Sequence, residues 1–178
     1  FEGTAKILQA LEGVKQMRES VDALLVINNQ RLIEVYKNFT VSEAFAKADD
    51  TLSNAARGIS ELVNIAGEVN LDFADVDTVL RGGGVAVINT GYAKGEDRMT
   101  LAIQEALNSP LLNNNNISKA RQLLINVYYD DEAPLTVDEF SQIHEFTSEF
   151  SDEVNTIHGI SRKEGLGTKL GVTILASG

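Results

Sequence analysis

The apolar positions of this chain change period repeatedly along its length. From Thr4 to Ser20, Ile7, Leu8, Leu11 and Val14 recur at helical spacing on one side. Ala23 to Ile27 is an unbroken apolar run of strand length, and Asn28-Asn29-Gln30 follows as a polar loop. Open α/β sheets usually place ligands at that end of a strand. Arg31 to Tyr36 reads as a short helix. The longest pattern runs from Val41 to Ala66, where Phe45, Ala48, Leu52, Ala55, Ile59, Leu62 and Ala66 alternate spacings of three and four. Ser42 suits the N-cap of this helix and Gly67 its C-terminal stop. Ala44, Thr51, Ala56 and Val63 widen the seam with small residues, and Gly58 interrupts the heptads. The pattern therefore predicts a central helix clamped between two packed layers rather than a coiled coil.

Beyond it, after the Asn70–Asp75 segment, a helix is predicted to about Leu80, then Gly82-Gly83-Gly84, then a strand over Val85 to Ile88. Tyr92 to Gly95 turns into a helix from Glu96 to Asn108, and Pro110 with Asn113 to Asn116 forms a loop. Leu123 to Tyr128 is a strand. Thr136 caps a helix to about Ser151 with Phe140, Ile143, Phe146 and Phe150 facing inward. Val154 to Ile160 and Leu170 to Ala176 are two last strands, joined by a Lys/Gly-rich turn into a terminal hairpin. The order strand–helix–strand–helix–strand–strand predicts an α/β sandwich on a mixed four-stranded sheet. No internal repeat is present.

Composition narrows the class. The 178 residues suffice for one sizeable domain or two small ones, and 43% hydrophobic content with 14 Gly and 2 Pro is ordinary for a globular chain. The absence of Cys excludes disulfides and thiolate metal sites, and suits a reducing cytosol. A net charge of −11 disfavours nucleic acid and direct contact with anionic membranes. No apolar run approaches the roughly 20 residues that span a bilayer. Phe1-Glu2-Gly3 is not an initiating sequence, and the last apolar run stops at Gly178, so the chain reads as a segment cut at both ends.

Most candidate chemistry has a plain structural reading. Gly82-Gly83-Gly84 precedes a strand, whereas a phosphate loop needs Gly-Lys-Ser/Thr opening a helix, so a flexible turn is expected. His144 and His158 lack ligand-spaced partners, so no metal is expected at them. Asp130-Asp131-Glu132 reads as a solvated turn before Pro134. Asn70-Leu71-Asp72-Phe73-Ala74-Asp75-Val76 is richer: Asp72 and Asp75, three apart, share a helical face. Such a pair can orient a water or hold a cation. It is equally the spacing of an N-cap and its capping-box partner, the commoner use.

Several words of the chain gain meaning together: Phe1-Glu2-Gly3, Ala44-Phe45-x-x-Ala48-Asp49, Gly58-Ile59-Ser60-Glu61-Leu62 and Asn70 to Val76. Gly95-Glu96-Asp97-Arg98, Ser109-Pro110-Leu111-Leu112 and Val172 to Gly178 complete the set. In order and spacing they resemble the FtsZ family of bacterial tubulin-like cell-division GTPases, over essentially the whole chain. The resemblance implies the end of a Rossmann-like GTP-binding domain (1–40), a central helix (41–67), a synergy loop with its following helix (68–80) and a C-terminal α/β domain (81–178). It implies a cytoplasmic protein of the division septum that binds GTP and GDP, with Mg2+ or a monovalent cation present only at the full site. Glu2 corresponds to a ribose-contacting acid and Asn29 to a guanine- and ribose-contacting amide. Lys6 stands where the family usually has a nucleotide-contacting Arg, keeping the charge but not the planar fork. Asn28 replaces the family's usual Pro. Phe45 corresponds to the ring near the guanine and Asp49 to the group that reads its edge.

Asn70, Asp72 and Asp75 correspond to the loop that each subunit inserts onto the GTP of its neighbour. Head-to-tail contacts of that kind generate open filaments, and the hydrolysis is positioning plus electrostatics. A carboxylate with a pKa of about 4 is a weak base, so the two aspartates are expected to orient and polarise water. The expected partners are further copies of the chain, the missing N-terminal GTP-binding half and, through an absent tail, membrane-tethering division proteins. A second reading, from another class, is a non-catalytic assembly segment that docks on or caps filament ends. A ligand cleft between the central helix and the sheet is a further possibility, with close packing the alternative.

Overall fold

The computed structural model describes residues 3–26, 37–108, 117, 119–150 and 153–178. Helix α1 (Thr4–Arg18) leads to the short strand β1 (Ala23–Leu24), and helix α2 (Val41–Asn64) follows. Then come β2 (Gly67–Val69), α3 (Phe73–Leu80), β3 (Gly84–Ala93), α4 (Arg98–Leu107) and β4 (Gln122–Tyr129). Helix α5 (Val137–Ser148) and strands β5 (Asn155–Arg162) and β6 (Leu170–Ser177) complete the order. The helix predicted over Arg31 to Tyr36, the Ser109–Leu112 word, and Glu2, Asn28 and Asn29 lie outside the described residues.

Among the described residues three helices start on reciprocal caps. Thr40 Oγ1 accepts from Glu43 N at 3.2 Å while Glu43 Oε2 accepts from Thr40 N at 2.7 Å. Thr136 and Glu139 repeat the arrangement at α5, and Asp72 with Asp75 at α3. The cap of α2 is thus Thr40 rather than Ser42. Thr40 has Glu43 three residues on, which completes the box; Ser42 has Phe45 there.

Helix α2 ends before Gly67, which opens a strand rather than stopping the helix. Ile65 already has extended backbone (φ −87, ψ 114), and Gly67 pairs with Ser161 of β5. A side chain at Gly67 would run into the Ile160 carbonyl, so glycine is what lets the two backbones approach.

Among the described residues the sheet has six strands, in the order β1-β3-β6-β4-β5-β2, not the four expected. The predicted terminal hairpin does not form either. β5 pairs in parallel with β4, and β6 inserts antiparallel between β3 and β4. The reason lies in side-chain character. Every residue of β6 is buried, which only a central strand provides, while β5 carries exposed Asn155 and Arg162 and belongs nearer an edge.

Two apolar clusters cover the two sheet faces. Met99, Ala102, Ile103 and Ala106 of α4 and Ile143 of α5 pack with Leu123, Ile125, Val127, Val172 and Ile174. On the other face Ala55 and Leu62 of α2 and Val76 and Val79 of α3 pack with Ile88, Leu124 and Leu175. Consecutive residues Leu123 and Leu124 belong to different clusters, as strand alternation requires. Gly58, the break in the heptads, lies against this sheet: a β-carbon there would come within 3.1 Å of Ile88 Cδ1. Among the described residues only the second half of α2 is clamped, through Ala55, Gly58 and Leu62. Among the described residues Phe45 and Leu52, nearer its start, stay 52% and 55% exposed. Strand β1 joins the first segment to this sheet through Ala23↔Gly84 and Leu24↔Val85.

Candidate functional site

Two groups of predicted site residues stand at opposite ends of α2. Phe45 and Asp49 lie one turn apart near its N-terminus, on a shared and exposed face. A half-exposed ring with a carboxylate beside it suits stacking on a flat base and accepting from that base's N–H groups. Lys6 lies on α1, exposed. Asn70, Asp72 and Asp75 follow the other end. At about 1.5 Å per residue, α2 separates Phe45 from Asn64 by roughly 28 Å.

The second group is built tightly. Asp72, with extended backbone, caps α3, and its Oδ1 accepts from Asp75 N at 3.1 Å. Asp75 Oδ2 accepts from Asp72 N at 2.9 Å. One oxygen of each carboxylate is therefore committed to the backbone. Among the described residues neither Asp72 Oδ2 nor Asp75 Oδ1 has a donor, and both residues reach the surface. The cap and the chemical reading are compatible, since different oxygens serve each. Asn70 Oδ1 accepts from Gly67 N at 2.7 Å, which closes the turn before α3 and leaves the amide NH2 as the group able to face a ligand. Leu71 is buried at 7% exposure against the bare Cα of Gly159 and anchors the loop from below.

Residues with no obvious motif brace this end. Lys163 Nζ pairs with Glu61 Oε2 at 2.8 Å and lies 5.7 and 5.4 Å from the Tyr92 and Tyr128 ring centres. Burial pulls its ammonium down, but Glu61 and Tyr92 outweigh it and hold the pKa above the usual lysine value. The pair ties the C-terminal part of α2 to the turn after β5. Tyr129 Oη donates to Glu68 Oε1 at 2.8 Å and ties β2 to β4. Sequence spacing cannot find such pairs, because their partners are 102 and 61 residues apart.

The remaining motifs have structural roles. Gly82 and Gly84 adopt φ of 62° and 67°, which L side chains resist, and lead into a strand, so they make a turn as expected. Asp130 is more than a solvated turn: it accepts from Gly167 N at 3.1 Å and is held below the usual carboxylate range by that bond, while Asp131 pairs with Arg162 at 3.0 Å. A cavity of about 130 Å3 lies between α2 and β3, lined by Asn54, Arg57, Gly58, Glu61, Asn89, Thr90 and Tyr92. The cleft is thus small rather than closed.

The fold brings His144 and His158 together, with ring centres 5.7 Å apart. Among the described residues no three His, Cys, Asp or Glu groups converge as metal ligands. His158 Nε2 is buried, without a hydrogen-bond partner among the described residues. Burial, then the nearby His144, lowers its pKa from the usual 6.5. The unfolded chain then binds the proton more readily than the native one. The stability due to a neutral His158 is complete above pH 6.5 and falls as pH drops toward the depressed native value. Urea midpoints measured from about pH 7.5 to 5.5 should decline, and His158→Phe should flatten that decline.

A sequence profile described as "FtsZ family, C-terminal domain" matches residues 84–178. The chain belongs to the FtsZ family. A cell division protein FtsZ of Porphyromonas gingivalis is 57% identical over 178 residues, covering all of this chain and 39% of the relative. One of Pseudomonas aeruginosa is 37% identical over 180 residues, covering all of this chain and 45% of the relative. The chain thus spans less than half the length of these FtsZ relatives. Among solved structures, an FtsZ dimer of M. jannaschii superimposes with a TM-score of 0.79 at 34% identity, covering 95% of this chain and 49% of that one. TubZ of Bacillus thuringiensis serovar israelensis gives a TM-score of 0.71 at 16% identity, covering 88% of this chain and 43% of that one, and shares the fold. Among the described residues no helix is long and apolar enough to cross a membrane.

Proposed function

We propose that the chain is part of a GTPase that assembles head to tail, with Asn70, Asp72 and Asp75 completing the hydrolytic site on the GTP of an adjacent subunit. The observation that supports this is the span of α2. Phe45 and Asp49 suit a guanine, and the paired aspartates suit a reacting water. Roughly 22 Å of helix separates Asp49, and about 28 Å separates Phe45, from Asn64 at the other end, longer than a nucleoside triphosphate. One GTP can meet both only if they come from different subunits. The M. jannaschii relative is described as a dimer and the TubZ neighbour as protofilaments, which supports self-association.

In this reading Lys6, Phe45 and Asp49 hold GTP together with Glu2 and Asn29. On the neighbour, the open oxygens of Asp72 and Asp75 accept hydrogen bonds from one water and turn its lone pair toward the γ-phosphorus. The Asn70 amide donates to a phosphate oxygen. A bound cation supplies compensation for phosphate charge. The protein works at the division septum, a reading supported by the relatives' designation as cell division proteins.

The test is phosphate release by the full-length protein against its concentration. Turnover per subunit should be negligible below an assembly threshold and rise above it. A rate per subunit that stays constant on dilution rules out a shared site.

A further inference from the structure

Strand β2 is three residues long, lies at the sheet edge, and pairs with β5 in a register that shifts between Gly67 and Val69. So short and irregular a ladder gives little control over where the chain exits toward Asn70–Asp75. The side chains must supply the rest. Leu71 fixes the depth of the loop on Gly159, and Asn70 closes it onto Gly67. Neither fixes the direction of β2 across the sheet.

Tyr129 does. It is 5% exposed, held in β4 between β5 and β6, and its hydroxyl donates to Glu68 at 2.8 Å. The bond to Glu68, then burial, holds the phenol above its ordinary pKa, so it remains a donor. Among the described residues Glu68 has no competing cation: Arg162 lines the same cavity but pairs with Asp131 at 3.0 Å. That cavity, about 420 Å3 and also lined by Ala66, Gly67 and Glu164, leaves room for Glu68 to swing once released.

We infer that Tyr129 and Glu68 are positioning residues, whose hydrogen bond aims Asp72 and Asp75 at the neighbour's substrate. This inference rests on the function proposed above. A displacement of about 1 Å at a reacting group can cost up to 10²-fold in rate.

The experiment uses the full-length protein and measures sedimented polymer, thermal stability and phosphate release per polymerised subunit. Tyr129→Phe should leave polymer mass within about twofold and lower turnover about 10-fold. Glu68→Ala should do the same, and the double variant should lose no more than either single one. Glu68→Gln keeps an acceptor oxygen and should retain turnover. A purely structural bond would instead lower stability and polymer mass in step with turnover, which overturns the inference. Parental turnover in Tyr129→Phe overturns it as well. If Tyr129→Phe does not fold, equal turnover in Glu68→Gln and Glu68→Ala overturns it. Asp75→Asn run in parallel separates the failures. If that variant is inactive while Tyr129→Phe is normal, only the positioning role falls; if Asp75→Asn is fully active, the functional reading falls and takes this inference with it.

Discussion

Asp75→Asn in the full-length protein should lower GTP turnover by about 10²–10⁴-fold, the range expected for a positioned carboxylate that orients and polarises the attacking water. Nucleotide affinity should stay within about twofold, because the proposed base-binding residues lie roughly 22–28 Å away along α2. The substitution isolates charge from structure. Asparagine keeps an oxygen that can accept from Asp72 N, where Asp75 Oδ2 now does so at 2.9 Å. The reciprocal cap and α3 therefore persist. What is lost is the negative charge and its favourable place at the helix N-terminus, about 0.3–1 kcal/mol. Phosphate release and sedimentation, measured on the same samples, give the answer. Normal release from a normally polymerised variant removes Asp75 from the mechanism.

Arg98→Ala should have the largest effect on stability, about 3–5 kcal/mol, as expected when one partner of a buried ion pair is removed. Arg98 Nε and Nη2 donate to the two Glu139 oxygens at 2.5 and 3.1 Å. Nη2 also donates to the Pro134 carbonyl at 2.9 Å, and Nη1 to the Thr168 carbonyl at 3.2 Å. One guanidinium thus joins the start of α4, the start of α5 and the turn before β6. Without it, Glu139 keeps a charge at 12% side-chain exposure with only the Thr136 cap to satisfy it. The Arg98 hydrogen bond holds the Glu139 carboxyl below its usual 4.5, against the opposing effect of burial. A depressed acid contributes stability that is complete above 4.5 and lost as pH falls toward the native value. Arg98→Ala should remove that acid-side dependence along with the stability. Denaturant midpoints near neutral pH and near pH 4 test both; a loss below about 1 kcal/mol contradicts the buried-pair argument.

Local signals survive intact in this chain wherever they are short-range. The Asp72–Asp75 box, the Thr136 cap and the apolar faces of α2 and α4 all depend on residues within a turn or two of each other. The cap at Thr40 was equally local, since Thr40-x-x-Glu43 carries both halves of the box. The fate of Gly67 was not local. As a residue after a helix it resembles a stop, and only the approach of Ile160, 93 positions later, makes it a strand residue.

The place of the last strand shows the same divide. Leu170 to Ser177 reads as a strand from its composition, and adjacency in sequence suggests pairing with β5. Burial on both faces decides otherwise and seats it between β3 and β4. The sequence by itself determined the family, the carboxylate pair and, β2 apart, the types of the described elements, because caps, periodicities and motifs are set by neighbours along the chain. Tertiary structure alone decided which oxygens of Asp72 and Asp75 stay open, and that Tyr129, Glu68, Lys163 and Glu61 brace their surroundings. Those contacts join residues 61 and 102 positions apart, a separation over which no local pattern carries information.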